Sequence, residues 1–429
     1  MRDSGPIRKW IVVCVIWLIA CLNYTDRTAI FSVMPALKGE MRLSNIGLAM
    51  LGSTFLWVYA LFSPVGGYLG DRFSRKRVII LSLSLFSVVT FVSGFARTGR
   101  ELIELRCLLG VSEALFLPPA LAYIASYHRE GTRSLANSIA LSGLTTGAGL
   151  GSWYGGFMTE HYSWRLGFYW LGGFGLLVAL LSMAILPTDS IAALAPREPE
   201  FTREEAQNKI LAVFKSHTAL ALIFLAFALS LTSWPTQSWL PTYFFENFKQ
   251  SLTHAGSMVT LFASLPALVG GIFGGILADR WYRRNTRARM ALQVIGLSVM
   301  APALLAIGFM PTIRSVATVL LLYSVARGML EVNSMPVFCS VVPANRWSIA
   351  YGLYNTAGTL AGSIGIFLVG AKKASWGIGH TLSGLSAALF AALAVTAYAM
   401  YHFLPADLQL QAGRAKEIPA IAAQPLVGG

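Results

Sequence analysis

Six ionisable residues stand where the surrounding sequence leaves little room for charge. They are Asp26 and Arg27 in "LNYTDRTAI", Arg106 and Glu113 in "RCLLGVSEALFLP", and Arg327 and Glu331 in "ARGMLEVNSMP". Each lies well inside a long apolar run. A charge at the centre of a membrane helix costs about 2.5–3.5 kcal/mol on insertion scales, so six facing lipid would cost on the order of 15–20 kcal/mol. They must therefore face inward, paired with one another or lining a wet cavity. Arg106 and Glu113 are seven residues apart, which puts both on one helix face, roughly 10 Å apart along the axis. Carboxylates on two segments that face a common cavity can exchange protons. Guanidinium groups stay charged at any accessible pH and fork onto a carboxylate through two parallel hydrogen bonds. An anion, a proton and an internal carboxylate would then compete for the same arginines, which is a minimal coupling device. A purely structural ion-pair network is the plain alternative.

The elements that must position these groups follow from composition. Of 429 residues, 55% are hydrophobic and 12% are charged, against about 25% charged in soluble chains. Roughly 20 apolar residues span a bilayer core. The hydropathy pattern predicts twelve such segments, at 10–35, 46–70, 78–97, 102–126, 134–158, 165–187, 218–246, 255–279, 289–311, 315–342, 348–371 and 380–404. The chain is thus read as an all-α membrane protein. "RKWIVVCVIWLIAC", ending at Cys21, has the look of a lipoprotein signal, but the apolar run continues past it.

The formal charge of +14 reads as topology rather than nucleic-acid binding. With both termini cytoplasmic, Arg2, Arg8, Lys9, Arg72, Arg75, Lys76, Arg77, Arg280, Arg283, Arg284, Arg287 and Arg289 all fall inside, the positive-inside bias of an inner or plasma membrane protein. The four cysteines lie within predicted helices and the six histidines form no metal-binding pair. No metal, no cofactor and no nucleophile–base motif is expected, so an enzyme is the least favoured class.

The segment pattern breaks once, at 188–217, read as a cytoplasmic linker with a short surface helix near 203–214. It separates a bundle at 1–187 from a second at 218–429 that ends in a short cytoplasmic tail. The two repeat each other. "GYLGDRFSRKR" returns as "GILADRWYRR", so that Gly67, Asp71, Arg72 and Arg75 map onto Gly275, Asp279, Arg280 and Arg283 at a shift of 208. "GVSEALFLP" returns as "GMLEVNSMP" at a shift of 218, and Gly147/Gly151 pair with Gly358/Gly362 at 211. Duplication of this kind marks secondary transporters, whose sites lie between the repeats near the midplane.

The "GYLGDRFSRKR" loop and its weaker copy resemble the signature of the major facilitator superfamily. "NYTDR", "RCLLGVSEALFLP" and "WLPTYF" (Trp239 to Phe244) resemble its anion:cation symporter branch, which includes bacterial sugar-acid carriers and the vesicular glutamate and sialic acid carriers. That resemblance implies two pseudo-symmetric six-helix bundles and proton-coupled symport of a small organic anion, with the proton gradient as energy source. It makes Asp26 and Glu113 the proton-carrying acids, and Arg27 and Arg106 the groups that bind the substrate carboxylate or tune those acids. Tyr24, Tyr59 and Asn355 would line the site. Gly67, Asp71, Arg72, Arg75, Asp279 and Arg280 would form a cytoplasmic gate, with Gly67 allowing close helix approach. A monomer in a bacterial inner membrane, surrounded by lipid, is the expected state.

The chain also departs from the branch. Leu144 stands where sugar-acid relatives usually carry a glutamine, and Arg327 and Glu331 form a second intramembrane pair that the branch does not lead one to expect. A less hydroxylated anion is therefore considered, with Trp57, Trp234, Gln237 and Trp239 as candidate wall residues. A carrier of lysolipids or other amphiphiles is the main alternative, since lysosphingolipid carriers share a similar "NYxDR". A drug or metabolite exporter is less favoured, because "GLGSWYGG" lacks the proline of the exporter motif. A receptor or scaffold without transport is the remaining class.

Overall fold

The computed structural model describes residues 6–128, 130–187, 213–343 and 347–411. The expected linker falls largely outside these residues, as does the tail. Every regular element is helical. Before residue 188 come α1 (Pro6–Glu40), α2 (Asn45–Arg72), α3 (Arg75–Ser93), α4 (Gly99–Ala114), α5 (Leu117–Tyr127), α6 (Glu130–His161) and α7 (Trp164–Ile185). After residue 212 come α8 (His217–Phe248), α9 (Leu252–Val259), α10 (Leu265–Tyr282), α11 (Ala288–Ala306), α12 (Ile313–Val341) and α13 (Trp347–His402). Short polar turns restart the helices through hydroxyl caps. Ser44, Ser74, Thr98, Ser163, Ser216, Ser251 and Thr312 each accept from a backbone N–H in the first turn that follows, which satisfies a donor the helix leaves open.

Ten helical stretches among the described residues are long and apolar enough to cross a membrane. One of them, Ala350–His402, runs 53 residues and breaks at Gly377, whose φ of 73° is a conformation glycine adopts without steric cost. It therefore holds two of the expected segments. α4 and α5 form another stretch, interrupted at Leu115–Phe116 ahead of Pro118 and Pro119, which donate no backbone hydrogen bond. α9 joins α10 through a π turn at Thr260–Ser264, just before Pro266.

α6 is 32 residues long but too rich in glycine and hydroxyl residues to be among the ten. Its packing explains that composition. Gly143, Gly147, Gly151 and Gly155 recur every fourth residue, and a Cβ at each would collide with α1 at Trp17, Cys21, Thr25 and Ala29. The backbones lie close enough for Thr25, Thr28 and Ser32 to donate to the carbonyls of Gly147, Ala148 and Ser152 at 3.2, 3.1 and 2.7 Å. Small residues and interhelical hydroxyl bonds are how helices associate where lipid removes the hydrophobic drive. In the second half, Gly358, Gly362 and Gly365 seat α13 against Ser230, Trp234 and Leu231 of α8.

The halves meet at one end of the molecule. Ser53 donates to Ser363 O at 2.9 Å, Thr260 to Gly149 O at 2.7 Å, and Thr253 N–H to Glu160 at 2.7 Å. Glu246 of α8 lies 2.7 Å from Lys373 and 3.7 Å from Lys38. Gly156 and Gly256 admit the backbones of Leu252 and Ser152 across the same seam. At the opposite end, which carries the basic turns after α2 and α10, the contacts run within a half: Lys76 donates to Met183 O and Leu186 O, and Asp407 accepts from Ser216 and from Thr218 N–H. Among the described residues, the side-chain bonds that join the halves gather at the first end.

The reading of Gly67 as a close-approach glycine is corrected. A Cβ there would meet nothing within 4 Å, whereas one at Gly66 would collide with Ala114 O and one at Gly70 with Pro119. The repeat-equivalent pair behaves alike, Gly274 packing on Met329 while Gly275 has only Val332 at 3.8 Å. One residue turns a helix by about 100°, so adjacent glycines face different neighbours.

Candidate functional site

α1 crosses α4 where each brings one acid and one arginine into the interior. Arg27 reaches Glu113 through Nε at 3.2 Å and Nη2 at 2.7 Å, both to the same oxygen, Oε2. The pair is sealed, with side chains 3% and 0% exposed. Arg106 donates through Nε to Leu51 O and through Nη2 to Arg27 O, both at 3.3 Å, and its Nη1 stands 4.0 Å from Asp26 Oδ1. The result is a crossed ladder in which each arginine faces the carboxylate of the other helix. Glu113 Oε1 and Asp26 Oδ1 are buried without a hydrogen-bond partner.

Aromatic rings enclose the Arg27 guanidinium. Its Cζ lies 4.4 Å from the ring centre of Tyr24, 4.7 Å from those of Phe55 and Tyr59, and 5.8 Å from that of Trp234. Trp234 belongs to α8, so the second half completes the surroundings of this arginine; its ring lies 6.5 Å from that of Tyr24. Desolvated cation–π contacts of this kind hold a guanidinium in place without using up its N–H donors. Arg27 Nη1 makes no hydrogen bond among the described residues.

The two acids do not share one cavity, contrary to the sequence-based expectation. Glu113 lies beside Arg27, while Asp26 turns toward α3, where Thr90 hydrogen-bonds it. A narrow gap beside Asp26 is lined by Leu22, Phe86, Ser87, Thr90, Leu171 and Gly175, within the first half. Consecutive residues on α1 point about 100° apart, so with Arg27 facing the cleft, Asp26 cannot. Both acids are nonetheless buried by protein, at 2% and 1% exposure.

The second half presents a looser arrangement. Arg327 Nε donates to Glu331 Oε1 at 2.9 Å, one turn along α12, with the side chains 21% and 44% exposed. Arg327 and Tyr351 of α13 lie within electrostatic reach of Tyr24 of the first half. Asn355 and Gln237 are half-buried. Trp239 does not line the cleft: it is fully buried, its indole donates to Ile366 O at 3.1 Å, and Lys373 caps its ring. It lies two residues, more than half a turn, from Gln237 and packs α8 on α13, while Trp234 takes the place beside Arg27. Trp57 is 38% exposed, one turn beyond the Ser53–Ser363 contact.

Of the expected gate residues, Arg72 bonds Tyr68 at 2.5 Å, Arg75 donates to Ala122 O at 3.3 Å, and Asp279 pairs with Arg289 at 3.0 Å. Arg280 is exposed, and the side chain of Asp71 lies outside the described residues. Sequence reasoning missed Thr90 and Phe55. Thr90 sits in "SVVTFVS" like any helix hydroxyl satisfied by its own turn, and Phe55 is one apolar residue among many. Neither carries a local signal.

A model of the Major Facilitator Superfamily matches residues 16–366. Among curated proteins, the chain is similar to the probable galactarate/D-glucarate transporter GarP of Escherichia coli (strain K12), 24% identical over 402 residues, covering 86% of this chain and 89% of that protein. It is 26% identical over 370 residues to the probable sulfoacetate transporter SauU of Cupriavidus necator, covering 82% and 84%. It is 27% identical over 385 residues to protein spinster homolog 1 of Xenopus laevis, covering 85% and 72%. Among solved structures, a bacterial homolog of the human lysosomal transporter Spinster, in an inward-facing and unoccupied conformation, matches with a TM-score of 0.81 at 20% identity, covering 94% of this chain and 99% of that one. At that identity the likeness establishes the fold.

Proposed function

The chain belongs to the Major Facilitator Superfamily of transporters, and from that premise we propose that it carries a small organic anion together with protons by alternating access. The observation that carries this reading is the crossed ladder. Two arginines hold two carboxylates away from lipid, each acid keeps one oxygen without a hydrogen bond, and Arg27 borders the other half through Trp234. The relatives named for galactarate, glucarate and sulfoacetate support an organic anion as cargo.

The chemistry follows from competition for one guanidinium. A substrate carboxylate meets Arg27 at its unbonded Nη1 and takes the guanidinium over from Glu113, forking onto it through both oxygens. Glu113, displaced and still buried, takes up a proton, because an unpaired buried charge is costly. Substrate and proton thereby bind together. Asp26 is a second proton site, set against Arg106 and Thr90. When the halves rock, the aromatic surroundings of Arg27 change because Trp234 moves with the second half. Loss of substrate returns Arg27 to Glu113 and expels the proton. With both termini cytoplasmic in a bacterial inner membrane, the end that carries the basic turns faces inward, and the Lys38–Glu246–Lys373 cluster closes the outer end.

The test is uptake by the purified protein in liposomes. Glu113→Gln and Asp26→Asn are each expected to abolish accumulation driven by an inward proton gradient. Undiminished concentrative uptake by both variants would refute the coupling roles. An amphiphile carrier is the second reading, favoured by the four aromatic rings around Arg27. Displacement of bound anion by lysolipid, with no displacement by short acids, would establish it instead.

A further inference from the structure

Arg327 and Glu331 are the intramembrane charges that the mechanism above leaves without a task. Arg327 is fourteen residues from either end of α12 (Ile313–Val341), roughly 21 Å along the axis, and so at mid-depth of its helix. Charge at that depth is tolerated only toward protein or water. The surroundings of the pair identify which wall it occupies. Arg327 interacts with Tyr24, whose ring stacks on Arg27 at 4.4 Å. Glu331 interacts with Tyr354, which interacts in turn with Tyr351, and Tyr351 with Tyr24 and Tyr59. The pair therefore lies within electrostatic reach of the tyrosines around Arg27, on a helix of the opposing half.

Its bonding differs from that of Arg27 in a way that suits a ligand. Only Nε is engaged, by Glu331 on the same helix, and the terminal Nη1 and Nη2 make no hydrogen bond among the described residues. The pair is also far more exposed, at 21% and 44% against 3% and 0% for Arg27 and Glu113. An exposed ion pair one turn apart on a single helix is weak, so an incoming anion displaces little.

We propose that Arg327 is a second anion anchor, and that the preferred cargo is a dianion whose two acidic groups are held by Arg27 in one half and Arg327 in the other, with Glu331 as the internal competitor at Arg327. This rests on the organic-anion reading above and narrows it to dicarboxylates and carboxylate–sulfonates. Such a cargo would bridge the halves, so that its two ends report on their separation.

The experiment measures binding to the purified full-length protein for probes that differ by one acidic group: D-glucarate against D-gluconate, and sulfoacetate against acetate. Wild-type protein is expected to prefer the dianion by roughly ten- to a hundredfold, the worth of one charge-assisted pair. Arg327→Gln should collapse that ratio toward one. Arg27→Gln should weaken both members of each pair. Glu331→Gln removes the competitor and should widen the ratio, which keeps the test sound even where Arg327→Gln fails to fold. Equal affinity for both members in wild type, or an unchanged ratio in both Arg327→Gln and Glu331→Gln, would overturn the second anchor while leaving the organic-anion reading intact. Binding of no member of either pair would overturn that underlying reading, and this inference with it.

Discussion

Glu113 and Glu331 occupy the same place in the two repeats, in "GVSEALFLP" and "GMLEVNSMP", yet they end up in opposite circumstances. Glu113 is 1% exposed and bonded to Arg27 on a different helix. Glu331 has a side chain 44% exposed and is bonded to Arg327 on its own helix. A partner from another helix ties the acid to the relative placement of α1 and α4, so losing either member leaves a buried charge alone. A partner from the same helix makes the ion pair independent of how that helix meets its neighbours. One acid is sealed inside the protein with its partner, and its counterpart is half-exposed. The same motif occurs twice in the sequence, and the neighbouring helices set how far each glutamate is buried.

The sharpest way to break this contrast is to remove each arginine and measure stability. Arg27→Gln strands the Glu113 carboxylate in the interior and is expected to cost about 3–5 kcal/mol, read as a lowered midpoint in detergent-based unfolding. Transport should fail in Arg27→Lys as well, because an ammonium cannot reproduce the fork; wild-type substrate affinity in that variant would remove Arg27 from the anchor role. A smaller effect is expected at the seam that positions α1. Gly151→Val would drive its side chain into Thr25 and Thr28, with an overpacking cost of about 1–3 kcal/mol. Gly67→Ala, with open space around it, should leave the same midpoint unmoved. A small stability effect, about 1 kcal/mol, is expected of Arg327→Gln, whose pair is half-exposed and lies on one helix. A loss there equal to that of Arg27→Gln would show that the second pair is structural and erase the distinction.

Much of the fold was legible from local signals. The apolar runs, the hydroxyl residues ahead of helix starts and the repeated "GYLGDR"/"GILADR" loops are properties of contiguous sequence, and the family match over residues 16–366 agrees with them. The site was legible only in part. Asp26, Arg27, Arg106 and Glu113 stood out because charge in an apolar run is costly wherever the run folds. Their pairing was not readable, since it depends on how α1 rotates against α4. The same rotation sends Asp26 to Thr90 rather than into the cleft, and it makes Phe55 a wall of the Arg27 enclosure. Trp239 and Trp234 looked equivalent in sequence, and only the packing of α8 on α13 separates them.

The sequence by itself determined that this chain spans a membrane as helices and which six charges had to be kept from lipid, because both follow from the cost of transferring residues out of water. Tertiary structure decided which charge meets which, at which end the halves close, and which of two matching glutamates is sealed. Those outcomes turn on helix rotation and close approach at glycine, and these are set by residues far apart along the chain.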